Sequence, residues 1–214
     1  MVFSTQPAGQ STQIWIAPLN SGSAPRRIAS DGATTPHFGP NNEVFFRLTD
    51  GKAYYLGAVK RDGTGQRKAL PERILEVENI SPDRRFIIVG SAILGPAGTD
   101  DPSRYVVPLD GGLARQICDS DCSATWSPDG RYFYVEIAQA SRENPAGKTV
   151  AIRVPPGQTL PPFPPEAVRR PAEWTKVPGV KIVEHDNIAP GLDPSTYAYI
   201  KPAVHANLFR IPLR

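Results

Sequence analysis

The sequence predicts an all-β fold built from repeats, and three observations carry that prediction. Prolines number 24 and glycines 18 in 214 residues, which means frequent changes of direction and few long helices. The stretches between them, such as "EVFFRL", "RRFIIVG" and "RYFYVEI", concentrate the aromatic and β-branched residues that pack on a pleated surface. The chain also writes one short phrase repeatedly, as "IWIAPLN" near the start, "YVVPLD" in the middle and "FRIPLR" at the end.

Three places where an apolar residue leads into a turn align with one another: "HFGPNNEVFF", "NISPDRRFIIV" and "TWSPDGRYFYV". The apolar residue is Phe38, Ile80 and Trp126 in turn, a recurrence of about 42 to 46 residues. That is the period of a β-propeller blade of four short strands. In "WSPDG", Pro128 fixes φ at the first central position, Asp129 hydrogen-bonds to local backbone and Gly130 accepts positive φ. The reversed chain then runs on as the second strand. A loop leads to the third strand, where "QIWIAPLN", "KAYYLGAVKRD", "RYVVPLD" and "TVAIRVPP" fall. Pro18 and Pro108 sit where that strand runs into its turn, because proline supplies no donor to a strand ladder. Glycine-containing turns ("NSGS", "RDGTG", "DGG") lead to a fourth, more polar strand ("APRRIAS", "QRKAL", "LARQIC"). "GPNNE" lacks the Asp-Gly of the first turn and "SPDRR" lacks its Gly, so both are expected to depart from the turn type of "WSPDG".

Residues 1–154 therefore hold the blades: the last three strands of one, whole blades over 31–70 and 71–118, and the start of another from 119. The blade over 71–118 carries a longer loop at "ILGPAGTDDP". Residues 155–178 form a proline-rich connector, whose prolines favour extended backbone. Such a segment can serve as a ligand for a proline-binding module. Leu160, Phe163 and Trp174 punctuate it, favouring a connector that packs back on the domain. Residues 179–214 supply three more strands, "VKIVEH", "TYAYIKP" and "NLFRIPLR", for a last incomplete blade. The expectation is a partial β-propeller, open or incomplete, of four-stranded antiparallel blades, with about three clear blades and two partial ones. Closed rings of this kind have about four to eight blades, so missing upstream blades and a larger parent protein are expected.

The same residues exclude several functions. Basic residues exceed acidic ones only by a net charge of +3 and lie in scattered pairs (Arg26 with Arg27, Arg84 with Arg85, Arg169 with Arg170). Nucleic acid needs a denser basic face. No apolar run approaches the roughly 20 residues that span a bilayer, and no secretory leader is visible. The strings G-x-S-x-G, G-x-x-x-x-G-K-[ST] and H-E-x-x-H are missing, as are the kinase strings H-R-D and D-F-G. The chain is thus expected to be no enzyme, with no catalytic residue, no cofactor and no metal; its ligand-binding residues are not assigned. His37 and His205 have positions that suit a central channel, but a structural or solvent-facing role is the plainer reading of a lone histidine. Asp100, Asp101, Asp119 and Asp121 lie in polar loops, and Asp62, Asp110 and Asp129 in turns that account for them. Cys118 and Cys122 would need two further ligands to hold a metal, and none of His37, His185 or His205 is close in sequence. Two plain thiols are the simpler reading of the pair, and a disulfide is the alternative in an oxidising compartment.

The units "IWIAPLNSGSAPRRI", "YYLGAVKRDGTGQRKAL" and "YVVPLDGGLARQICDSDCSATWSPDGRYFYV" resemble the TolB-type, WD40-like repeats of bacterial β-propellers, over residues 1–154. The C-terminal stretch "VPGVKIVEHDNIAPGLDPSTYAYIKPAVHANLFRIPLR" is similar to the ending of propeller regions that follow the kinase domain in some bacterial serine/threonine protein kinases. The resemblance implies a non-catalytic interaction or sensor module that binds a protein or a small ligand through a propeller face. Any catalytic machinery would then lie upstream of Met1. The alternative it leaves is an accessory propeller of a prolyl-oligopeptidase-type hydrolase, or a stand-alone periplasmic TolB-like protein. It favours an extracytoplasmic compartment over a cytoplasmic one.

Overall fold

Each blade is a run of consecutive strands paired to their sequence neighbours, as the alternation of turn residues and β-formers requires. The computed structural model describes residues 1–20, 22–29, 32–91, 103–118, 122–137, 147–163, 177, 179–185 and 187–199. Strands β1 (Val2–Thr5), β2 (Gln13–Ile16) and β3 (Arg26–Ala29) form a three-stranded sheet. Four-stranded sheets follow: β4 (Thr34–Phe38), β5 (Glu43–Asp50), β6 (Ala53–Lys60) and β7 (Arg67–Ile74), then β8 (Glu76–Ile80), β9 (Phe86–Ser91), β10 (Ser103–Pro108) and β11 (Arg115–Cys118). The next comprises β12 (Cys122–Trp126), β13 (Tyr132–Ile137), β14 (Lys148–Arg153) and β15 (Lys181–Val183), and a two-stranded sheet of β16 (Ile188–Pro190) and β17 (Tyr197–Tyr199) comes last. All pairings are antiparallel. Among the described residues no helix is long and apolar enough to cross a membrane.

One pairing differs from the sequence expectation. "VKIVEH" does not open a separate last blade: β15 pairs with β14, with Val150 opposite Ile182 and Ala151 opposite Lys181. The connector is therefore an insertion within the fourth blade, between its third and fourth strands. The physical reason is the open edge of β14, whose unpaired amides and carbonyls take the next available strand. "NLFRIPLR", "ILGPAGTDDP", Trp174 and His205 lie outside the described residues.

The core sits between the blades rather than in one centre. Successive strand residues point to opposite faces, and in the middle strands both faces are covered: Val44, Phe45 and Phe46 are all buried, as are Ile87, Ile88 and Val89. Val44 and Phe46 join Ile14, Ile28 and Val59 in the seam of the first two blades. Phe45 joins Leu56, Ile87, Val89 and Tyr105 in the next seam. Ile88 joins Val106, Ile117, Trp126, Phe133 and Ile152 in the third, where Phe163 of the connector also packs. Gly57 is needed at the first seam: a Cβ there would come within 2.7 Å of the Phe46 ring.

The turns between first and second strands explain why these sequences reverse. Buried Ser127 Oγ donates to Asp129 Oδ1 (2.7 Å) and accepts from the Tyr132 amide (3.0 Å), while Gly130 N–H donates to Ser127 O (2.9 Å). Ser81 does the same with Asp83 (2.6 Å) and the Phe86 amide (3.0 Å), and Arg84 N–H donates to Ser81 O (2.8 Å). "SPDRR" thus keeps the turn of "WSPDG", with Arg84 at φ 61° where Gly130 has φ 73°. "GPNNE" does depart from it, using two left-handed residues, Asn41 (φ 52°) and Asn42 (φ 62°), a conformation asparagine tolerates.

Candidate functional site

Three local arrangements carry polar chemistry, and each is built by the blade geometry. The first is a charged seam at the inner strands of the third and fourth blades. Glu76, Gly90 and Arg104 face one another across β8, β9 and β10. Because Gly90 has no side chain, Arg104 reaches over it to pair with Glu76 (2.6 Å) and Glu78. A Cβ on Gly90 would lie 2.9 Å from Arg104 Nη1. The second oxygen of Glu78 accepts the Ala124 amide of the fourth blade (3.1 Å), and Asn79 Nδ2 donates to Thr125 Oγ1 beside it. Burial pushes the Glu78 carboxyl above its ordinary value, against the opposing pull of Arg104 and the Ala124 amide. This group joins the third and fourth blades.

The second is a cavity of about 20 Å³ on the other face of the fourth blade, lined by Tyr134, Ser123, Glu136, Thr149 and Ile188 among others. It has room for one water. The Tyr134 hydroxyl is buried there without a hydrogen-bond partner, and burial pushes its pKa up to about 12. Thr149 Oγ1 donates to His185 O (2.7 Å), and the His185 ring stacks on Tyr199 at 4.1 Å between centroids.

The third is an open cleft of about 400 Å³ where the first two blades meet at their ends. The end of β2 supplies Ile16, Ala17 and Pro18, the approach to β3 supplies Ala24 and Arg26, and the second blade supplies Phe38 and Arg61. Arg61 lies over the Phe38 ring at 4.5 Å, and the Arg26 guanidinium donates to Arg61 O across the seam. Arg61 Nε is buried without a hydrogen-bond partner. The phrase "IWIAPLN" thus ends at the cleft, and the sequence alone did not single out Arg61 or Phe38 as neighbours of it.

The residues singled out from sequence fall as follows. His37 is half-buried in β4, and burial lowers its pKa. It follows a register shift at Thr35 (φ 49°) and Pro36, a bulge that lets a strand hold a proline. Cys118 ends β11 and Cys122 begins β12; they form a disulfide, with Cα atoms 6.3 Å apart, that clips the crossover from one blade to the next. Both sit in the third seam. The Thr64 hydroxyl (2.7 Å) and amide (2.9 Å) both donate to Asp62 Oδ1, holding its pKa down. Asp129 is held at about 2 by the Ser127 hydroxyl first, then by the Arg131 amide and side chain. Asp100, Asp101, Asp119 and Asp121 are outside the described residues, within which no group of three or more His, Cys, Asp or Glu is placed to hold a metal.

No protein-family model and no curated protein matches the sequence. Among solved structures, the chain is similar to TolB from Acinetobacter baumannii, with a TM-score of 0.56 and 16% identity over 72% of this chain. It is similar to a protein assigned as TolB from Agrobacterium tumefaciens with a TM-score of 0.53 and 16% identity over 71% of the chain. The match spans 38% and 56% of those two chains. At this identity the likeness concerns architecture, and it agrees with the blades described above: the fold of this chain is that of a TolB-like β-propeller.

Proposed function

We propose that this chain is a non-catalytic interaction or sensor module of a larger bacterial protein, binding a protein or small ligand at the ends of its blades. The observation that most supports this is the cleft between the first two blades, with mostly apolar walls, Ser23 and two arginines. Its volume lies in the range of ligand pockets, about 300–1,000 Å³. The blade ends are also where the repeats differ most, as "NSGS", "RDGTG" and "DGG" illustrate, and binding residues concentrate on loops held by a rigid scaffold. The Cys118–Cys122 disulfide supports an extracytoplasmic setting, where such bonds persist. A kinase as parent rests on the C-terminal resemblance alone. Two measurements test the module: pull-down with the immobilised chain, and thermal melting against a panel of small molecules. A specific partner or a raised melting temperature supports it; neither appearing argues against it. The flanking reading frame tests the parent, since H-R-D and D-F-G upstream mark a kinase and G-x-S-x-G downstream marks a hydrolase.

A further inference from the structure

On the footing of that interaction role, we propose that the cleft between the first two blades takes an organic anion with an apolar body: a carboxylate carried on a hydrocarbon chain. The carboxylate lies against Arg61 and Arg26, and the hydrocarbon against Ile16, Ala17 and Phe38. Arg61 carries the argument. Its guanidinium is stacked on Phe38 at 4.5 Å, which fixes its plane, and its buried Nε has no hydrogen-bond partner. A buried donor left unpaired is costly, and the guanidinium fork matches the two oxygens of a carboxylate.

Arg26 brings a second cation from the other side of the seam, anchored through the Arg61 carbonyl. Among the described residues, no carboxylate lies within ion-pair distance of either arginine. Asp62 is the acidic group that Arg26 feels, but one of its oxygens is already occupied by Thr64. Most of the remaining wall is apolar, with Ser23 as a polar member and the Met1 ammonium turned to the Ala17 carbonyl (2.7 Å). A small inorganic anion would leave a cleft of about 400 Å³ largely unfilled, and a neutral hydrocarbon would leave the Arg61 Nε without a partner. An anion with a hydrocarbon body satisfies both parts.

The test is calorimetric titration of the 214-residue chain with octanoate, octanol and acetate, together with amide chemical-shift mapping. Octanoate is expected to bind and to shift the amides of Ala17, Ser23 and Arg61. Octanol, which lacks the charge, and acetate, which lacks the chain, are expected to bind at least about tenfold more weakly. Arg61→Met is expected to weaken octanoate about tenfold, and Arg61→Lys to recover part of the loss. Should Arg61→Met not fold by circular dichroism, the exposed Arg26→Gln serves for the same comparison. Octanol or acetate binding as tightly as octanoate, shifts centred elsewhere, or an unaffected variant would overturn the assignment. So would absence of octanoate binding; if another ligand or protein still bound the chain, only this assignment would fall and the interaction module would stand.

Discussion

Ser127 is the hinge of the best-formed turn, and its hydroxyl does two things at once. It accepts the Tyr132 amide across the reversal and donates to the Asp129 carboxylate. Ser127→Ala leaves the Tyr132 amide without its partner at a fully buried position, so urea unfolding is expected to show a loss of about 1 kcal/mol or somewhat more. The same change releases Asp129 from about 2 toward its ordinary 3.8. Because the folded-state pKa is depressed, the stability it contributes is complete above 3.8 and disappears as pH falls through about 2. In Ser127→Ala the carboxyl should therefore titrate at higher pH by carbon-detected NMR; an unmoved titration would refute the hydroxyl's role. Arg84 tests the converse. It holds a left-handed conformation that glycine adopts freely, so Arg84→Gly should stabilise by roughly 0.5–1 kcal/mol, strain relief exceeding glycine's entropy cost. A lowered melting temperature would count against that account. The sequence displayed Pro, Asp and Gly as the turn's makers, and it did so correctly for "WSPDG". It under-reported the serine, although Ser precedes Pro in two of the three aligned turns, because its work depends on burial rather than on local backbone preference.

At the scale of strands, pairing order was legible and the seams were not. The recurring turns and the β-forming stretches between them placed the second and third blades, although the boundary expected at residue 70 falls inside β7. The fourth strand of the fourth blade was hidden because the connector parts β14 from β15, so sequence adjacency ceased to indicate pairing. The cleft was hidden for a related reason: Ile16, Phe38 and Arg61 belong to separate strands and turns that meet only when two blades pack. The charged seam gives this scale its prediction. Arg104 and Glu78 have side chains 13% and 12% exposed, so Arg104→Met strands a buried carboxyl and should cost about 3–5 kcal/mol. Its partner's pKa should rise further, since burial already pushes Glu78 up and the opposing cation is gone. Adding Glu78→Leu to Arg104→Met should recover much of the loss in a double-mutant cycle. No recovery would mean that the pair is not the coupled unit described.

For the molecule as a whole, stability is a sum of seams, each joining two neighbours. The Cys118–Cys122 bond lies at one of these joints and closes a very short loop. Reduction is therefore expected to cost only roughly 2 kcal/mol in the chain-entropy account, seen as a modest drop in melting temperature with dithiothreitol. Complete unfolding on reduction would show that the bond supports far more than its own crossover. The connector joins a wider set of neighbours. Thr159 Oγ1 donates to Asp83 of the third blade, Trp126 Nε1 of the fourth donates to Thr159 O (2.8 Å), and Arg115 donates to Phe163 O (2.9 Å). Repeat proteins drift in copy number when unequal recombination inserts or deletes a unit. A unit gained between the third and fourth blades here would pull Asp83 and Trp126 away from their shared threonine, whereas one gained between the first and second would leave these three bonds untouched. Lineages descended from this gene should therefore vary in repeat count ahead of Glu76 and keep the third and fourth blades as an inherited pair.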